Sequence, residues 1–344
     1  MPRRWVARAI RKRTSGQALR SNDMKAKRSQ SFTNLQPKIA GSVAFPKVKR
    51  VLTTTDFSEA ARSGVRYAVR LSEKLGAAVT LLHVIEPPSR LSGVESVILA
   101  REDTAVAALA RKQLAALAKL ERKGNLTVAL STRSGKAFNE ITAAAVETEA
   151  DLIVIATHGY TGVEHVLLGS TAERVVRHAP CSVLTVPAQV GKVPPFRLQR
   201  ILVPMDFSAR SKAALTWAMF LAAQFEAEVV LFHVVEKFPI DYLLGRELTS
   251  HAIIPLIKQA EADLERAAAD LTQAFGLKIS ASVREGRPHE AICNAAQALA
   301  VDLIVLTTHG YTGLKHVWLG STAERVVRHA HCPGLVVRAA KPRA

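Results

Sequence analysis

The sequence predicts an α/β fold made of two tandem doubly wound domains, each a five-stranded parallel sheet with helices on both faces. Three observations carry this reading. Short aliphatic runs such as Leu152-Ile-Val-Ile155 and Leu303-Ile-Val-Leu306 are bounded by polar and glycine residues, as strands covered on both faces of a parallel sheet are. Helical segments alternate with these runs, which gives β-α-β units with right-handed crossovers. The pattern then occurs twice: Arg50–Ser58 matches Arg200–Ser208 at an offset of 150, and Thr157–Ala179 recurs as Thr308–Ala330. Only three residues differ between those last two stretches, Leu314 for Val163, Lys315 for Glu164 and Trp318 for Leu167. A period this long is a domain duplication rather than a solenoid, and 344 residues are enough for two cores of ordinary size.

Each element has its own justification. Val51-Leu-Thr-Thr-Thr55 is a β-branched strand that ends at Asp56-Phe57-Ser58, and Ser58 is placed to cap a helix with apolar positions at Ala61, Val65, Ala68, Val69 and Leu75. Gly76 supplies the left-handed residue such a helix wants at its end. Ala78–Val84 is a second buried strand. A loop with prolines leads into an Ala/Leu-rich helix over about 95–122, followed by a third strand over Leu126–Leu130 and a helix over about 137–148. Strand four spans 152–156, and a glycine-containing loop then runs into a helix opening at Ser170. Ser182–Val186 closes the unit. The second copy follows the same course, with Leu231-Phe-His-Val234 matching Leu81–Val84 and Gly286 matching Gly135. The expected boundaries are a basic tail over 1–45, a first domain over 46–188, a Pro/Gly linker over 189–197 and a second domain over 198–340.

Charge and cysteine usage exclude several classes. The net charge of +18 belongs mostly to the tail: residues 1–50 hold 14 Lys/Arg against Asp23, a balance of +13 that leaves +5 for the rest. Nucleic acid or anionic lipid is therefore a partner for the tail, if for any part of the chain. The tail reads as disordered, and a solvated arm, a polyanion-binding arm and a start placed ahead of a true initiator at Met24 all stay open. It lacks the apolar core of a secretory signal. No apolar run is long enough to span a bilayer. Cys181, Cys293 and Cys332 show neither pairing nor C-x-x-C spacing, which favours a reducing, cytoplasmic setting.

The candidate site lies where strand four meets the glycine loop. Glycines at 159, 162 and 169, followed by a helix N-terminus, make a place where backbone N–H groups converge on an anion. Without a ligand, Ser170 with Glu173 three residues on reads as a capping box, as does Ser321 with Glu324. Asp56 and Asp206 read either as Asx-turns or as ligand contacts. His83 and His233, inside apolar strands, read as satisfied core residues, whereas His158 and His309 sit in the loop itself. No Gly-x-x-x-x-Gly-Lys-Ser/Thr motif or nucleophile elbow occurs, and no histidine pair has the i, i+4 spacing with a carboxylate that marks a zinc hydrolase, so no protein metal cage is expected.

These residues together resemble the universal stress protein family, and the chain looks like a tandem two-domain member. The resemblance rests on the Asp-Phe-Ser turn, the Leu-x-His-Val end of strand two, the glycine loop and the Gly-Ser before the last helix, and it covers roughly 48–187 and 198–338. It implies the strand order 3-2-1-4-5, with ligand sites at the carboxyl ends of strands 1 and 4. It implies ATP or another adenine nucleotide as ligand, with Mg²⁺ only as an ion carried by that nucleotide, and a cytosolic stress sensor or regulator as function. Carried over position by position, the site comprises Thr54, Asp56, Val84, Ala156, His158, Gly159, Gly169, Ser170 and Thr171. In the second domain it comprises Pro204, Asp206, Val234, Thr307, His309, Gly310, Gly320, Ser321 and Thr322. The family loop has the form Gly-x-x-Gly, nine residues, Gly-Ser; here its first glycine is Ala156 or Thr307, and a side chain approaching the ligand there would weaken binding, more so for the branched Thr307. A nucleotide-free interaction scaffold and a slow ATPase or phosphotransfer enzyme are the alternatives. The resemblance also implies that the two domains pair through their last strands, Ser182–Val186 and Gly334–Val337, which would hide two apolar edges; further association of whole chains stays open.

Overall fold

The structure is a computed structural model that describes residues 45–86, 95–121, 125–157, 169–188, 196–208, 211–236, 250–307 and 320–338. The first half runs β1 (Arg50–Thr54), α1 (Glu59–Leu75), β2 (Ala78–Ile85), α2 (Glu95–Glu121), β3 (Val128–Ser134), α3 (Ala137–Glu147), β4 (Leu152–Ala156), α4 (Ser170–His178) and β5 (Ser182–Val186). The second runs β6 (Arg200–Pro204), α5 (Ser211–Phe225), β7 (Glu228–Val235), α6 (Ser250–Phe275), β8 (Ile279–Glu285), α7 (Pro288–Ala298), β9 (Leu303–Thr307), α8 (Ser321–His329) and β10 (Gly334–Val337). The basic tail lies outside the described residues.

The ten strands among the described residues form one sheet, in the order β3-β2-β1-β4-β5-β10-β9-β6-β7-β8. The order 3-2-1-4-5 holds in the first half, and β8-β7-β6-β9-β10 repeats it in the second. Every pairing is parallel except one: β5 and β10 run antiparallel, with Leu184 opposite Leu335 and Val183 opposite Val336. A single antiparallel join between two parallel halves turns their carboxyl edges to opposite ends of the sheet.

The strands read as continuous apolar runs because helices cover both sides. Leu152 and Val154 point to the face shared by α1 and α5, and Ile153 and Ile155 to the face shared by α3, α4, α7 and α8. Each of these apolar layers continues across the β5–β10 seam into the second half. On the α4 side the seam also carries charges: Arg177 bonds Glu173 at 2.8 Å within α4 and approaches Glu324 of α8 at 3.7 Å. Arg328 answers symmetrically, 3.1 Å from Glu324 and 3.7 Å from Glu173.

A carboxylate before β4 fixes the start of β1. Asp151 accepts the amides of Lys49 and Arg50 at 2.8 and 3.0 Å, and Asp302 accepts those of Gln199 and Arg200 at 2.7 and 2.9 Å. Helix α1 matches its sequence signals, with Ser58 Oγ accepting the Ala61 amide and Gly76 at φ 65°. The third strand does not match: it spans 128–134 instead of 126–130. At the outer edge of the sheet its side chains are only partly covered, so Ser131, Thr132, Arg133 and Ser134 extend a strand whose apolar run alone ends too early.

The two halves differ under the first helix. The hydroxyls of Thr53, Tyr67 and Ser72 are buried with no hydrogen-bond partner among the described residues, where the second half has Val203, Trp217 and Ala222. An unsatisfied buried hydroxyl costs about 1–3 kcal/mol. Thr53→Val, which copies the second half, is therefore expected to raise stability by about 1 kcal/mol or more; a urea denaturation midpoint that stays put or falls would contradict this.

Candidate functional site

The carboxyl ends of β1 and β4 lie side by side, because Val51, Leu52 and Thr53 pair in register with Leu152, Ile153 and Val154. Here the sheet order reverses, and the chain leaves β1 toward one face and β4 toward the other. Such a point opens a crevice between the two departing segments.

The turn after β1 is tightly built. The Ser58 amide donates to Asp56 Oδ1 at 3.0 Å and the Phe57 amide to Thr55 Oγ1 at 2.9 Å. Phe57 is held in the left-handed region at φ 66°, a costly conformation for a bulky residue. What holds it is a histidine: the Phe57 ring sits 4.4 Å from the His83 ring, and His83 Nδ1 is 2.8 Å from the Thr55 carbonyl. Since a carbonyl only accepts, Nδ1 carries the proton. The second copy is the same. Phe207 has φ 60°, its ring lies 4.3 Å from His233, and His233 Nδ1 donates to the Met205 carbonyl at 2.6 Å. Ser208 donates to Asp206 Oδ1 at 3.0 Å. Both aspartates thus form Asx-turns, and both strand histidines are satisfied as the sequence predicts.

At the other wall, α4 opens at Gly169, whose amide donates to the Thr157 carbonyl at 2.6 Å and so ties together the two ends of the loop. Gly169 and Gly320 both have φ −58°, which any residue adopts, so these glycines are not required by backbone conformation. Each is the N-cap, with no side-chain cap bond. The expected capping boxes are therefore not formed. One residue makes the difference: Ser170 and Ser321 are already the first helical residues, and Glu173 and Glu324 turn to the arginines at the seam instead. The amides of Ser170, Thr171 and Ala172, like those of Ser321, Thr322 and Ala323, have no intrahelical carbonyl to bond, and the helix presents them at the crevice.

Thr54, Val84 and Ala156, and likewise Pro204, Val234 and Thr307, stand at carboxyl strand ends around the crevice. His158, Gly159, His309 and Gly310 lie outside the described residues. Ala156 differs from expectation in direction: its methyl faces α1, 3.5 Å from where a Cβ on Gly64 would stand. Alternation along β9 gives Thr307 the same side as Leu303 and Val305, against α5. Both side chains thus address the sheet–helix interface, which undercuts the expectation that they obstruct a ligand.

Sequence reasoning missed the cations. A recess beside the α4 N-terminus is lined by Glu86, Lys136, Phe138, Ser170, Thr171 and Arg174. The Arg174 guanidinium lies over the Phe138 ring at 5.1 Å, and Glu86 is engaged by the Ala137 amide at 2.7 Å. Arg287 and Arg325 are the second-half equivalents of Lys136 and Arg174.

The model of the universal stress protein family matches the sequence twice, over residues 47–187 and 197–338. The chain belongs to the universal stress protein family. A universal stress protein of Synechocystis is 26% identical over 315 residues, covering 85% of this chain and all of that protein. One from Methanocaldococcus jannaschii is 36% identical over 143 residues, 42% of this chain and 84% of its own length. Among solved structures, a universal stress protein from Archaeoglobus fulgidus superposes with a TM-score of 0.62 at 21% identity, covering 88% of this chain and 100% of that one. That likeness shows the fold.

Within this universal stress protein the cations could have been found from spacing: Lys136 and Arg287 sit directly before a helix start, and Arg174 and Arg325 lie four residues into the helix after Gly-Ser. The strained turn gives a direct test. His83→Phe keeps a ring against Phe57 but leaves the buried Thr55 carbonyl without its donor, and a loss of about 1 kcal/mol is expected. Amide exchange at Phe57 and Ser58 should quicken with it, and unchanged protection there would show that His83 does not hold the turn.

Proposed function

We propose that the chain binds ATP or another adenine nucleotide at both crevices and acts as a cytoplasmic stress sensor or regulator rather than as an enzyme. The observation that carries the reading is a rigid Asx-turn and a helix N-terminus built twice where the strand order reverses, with Lys136 and Arg174 lining a recess at the first and Arg287 and Arg325 as their sequence equivalents at the second. Donors and charges there suit a phosphorylated ligand. The amides at Ser170 and Thr171, with Lys136 and Arg174, would take the phosphates; the turn at Asp56, with Thr54 and Val84, would take the nucleoside end. Pro204, Asp206, Val234, Ser321 and Thr322 would do the same in the second half. Mg²⁺ would arrive on the nucleotide.

Two measurements test this. Mass analysis of small molecules released from the denatured, freshly purified protein should show an adenine nucleotide. Calorimetry should then compare the parent with Ser170→Asp. A carboxylate at a helix N-terminus favours the helix, so folding should be kept, while its charge meets the phosphates and should weaken the first site at least tenfold. Undiminished stoichiometry and affinity in Ser170→Asp would remove the phosphate from this position. Phosphate release from ATP should stay at the level of the Ser170→Asp/Ser321→Asp double variant; release well above it would restore an enzymatic reading.

A further inference from the structure

The helix that follows strand three carries a different ring in each half. In the first half Phe138 packs beneath Arg174. In the second its equivalent is His289, with Arg287, Arg325 and His329 standing for Lys136, Arg174 and His178. His289 is 17% exposed and its ring lies 6.4 Å from that of His329. Burial first, then Arg325 of α8, His329 and Arg287, hold its imidazole below the ordinary histidine range. Glu290 opposes them, 3.9 Å from His289 but already paired with Arg287 at 3.3 Å. From the sheet, β7 packs on α7 and is followed by Glu236. In the first half the matching Glu86 is engaged by the Ala137 amide, whereas Pro288 has no amide to offer. Arg325 forms no ion pair with a described carboxylate, and its charge lowers the His289 pKa.

We propose that the second half holds a proton-linked polyphosphate subsite, in which Arg287, Arg325 and a protonated His289 receive a di- or triphosphate group, while the first half takes the same group through Lys136 and Arg174 without a proton. The inference rests on the reading that these crevices receive a phosphorylated ligand. A group of several negative charges within about 4–6 Å opposes the lowering by burial and by Arg325 and raises the His289 pKa. The proton comes from solvent and stays on the imidazole; no covalent bond changes. The sign follows by linkage. The free pKa is lowered and the bound one raised, so between them each ligand bound takes up as much as one proton, and affinity falls up to tenfold per pH unit as pH rises. Above that window the proton's contribution is lost and the second site holds the group through its two arginines alone.

The test uses the full chain with inorganic tripolyphosphate and with ATP, titrated calorimetrically at about pH 6 and about pH 8, either side of the ordinary histidine value, in buffers of different ionisation enthalpy. Phosphates titrate near pH 6 themselves, so uptake is read as a difference between proteins. His289→Phe, which installs the first half's own residue, should lose close to one proton of uptake and flatten the pH dependence of one site. Phe138→His should gain the same uptake at the other site, and it decides the matter if His289→Phe does not fold. Equal uptake in all three proteins, or no binding of tripolyphosphate, overturns the proposal. ATP binding with no difference in uptake sinks this inference and leaves the nucleotide reading standing. A difference in uptake with ATP no tighter than tripolyphosphate does the reverse.

Discussion

Most of the architecture depends on the antiparallel pairing of β5 with β10. Each half alone would end in a short edge strand, Ser182–Val186 or Gly334–Val337, buried at every residue in the paired sheet, with unpaired backbone donors and acceptors. Pairing them satisfies those groups and lets one apolar layer on each face run the length of the sheet. Only β3 and β8 remain as edges, and both are more polar and less buried than the strands between them. The same pairing orients α4 and α8 antiparallel, so that the first turn of each reaches the last turn of the other through glutamate and arginine.

The same site is thereby presented twice, at opposite ends of the sheet. Within each copy rigidity comes from local chemistry: an Asx-turn, a phenylalanine held at positive φ, and a histidine whose ring and donor both serve that turn. The helix N-terminus across the crevice is fastened less by its own side chains than by its backbone and by the charges at the seam. A built turn facing amides with no intrahelical partner suits a ligand that brings its own negative charge.

Much of the fold was legible because strand, helix and turn signals agreed in both copies. Gly76, Ser58 and the aliphatic runs of β4 and β9 each had a physical reason to be where they are. What was not legible depended on neighbours in space. The polar continuation of β3 follows from its place at the edge, which its own residues do not announce. Ser170 with Glu173 satisfies the local rule for a capping box, but Arg177 and Arg328 compete for the glutamate, and the helix begins one residue earlier than the box requires. The direction of the Ala156 methyl follows from Gly64 on a helix far away in sequence. Lys136 and Arg174 stand apart in sequence and meet only where two elements line one recess.

The seam also shows what covalent linkage permits. In a pair of identical chains related by a two-fold axis, the contact of one residue across the join is repeated by its symmetry mate, so both contacts must be the same. Here they are not. Thr185 meets Gly334, its hydroxyl donating to the Gly334 carbonyl at 3.1 Å, while at the symmetry-related position Val183 meets Val336. A Cβ at 334 would come within 3.3 Å of that hydroxyl. Because the partner of each surface is always the other half of the same molecule, the join holds at any dilution and each copy is free to drift on its own. A hydrogen bond on one side and a valine pair on the other is drift of that kind, open to a tandem chain and closed to a homodimer.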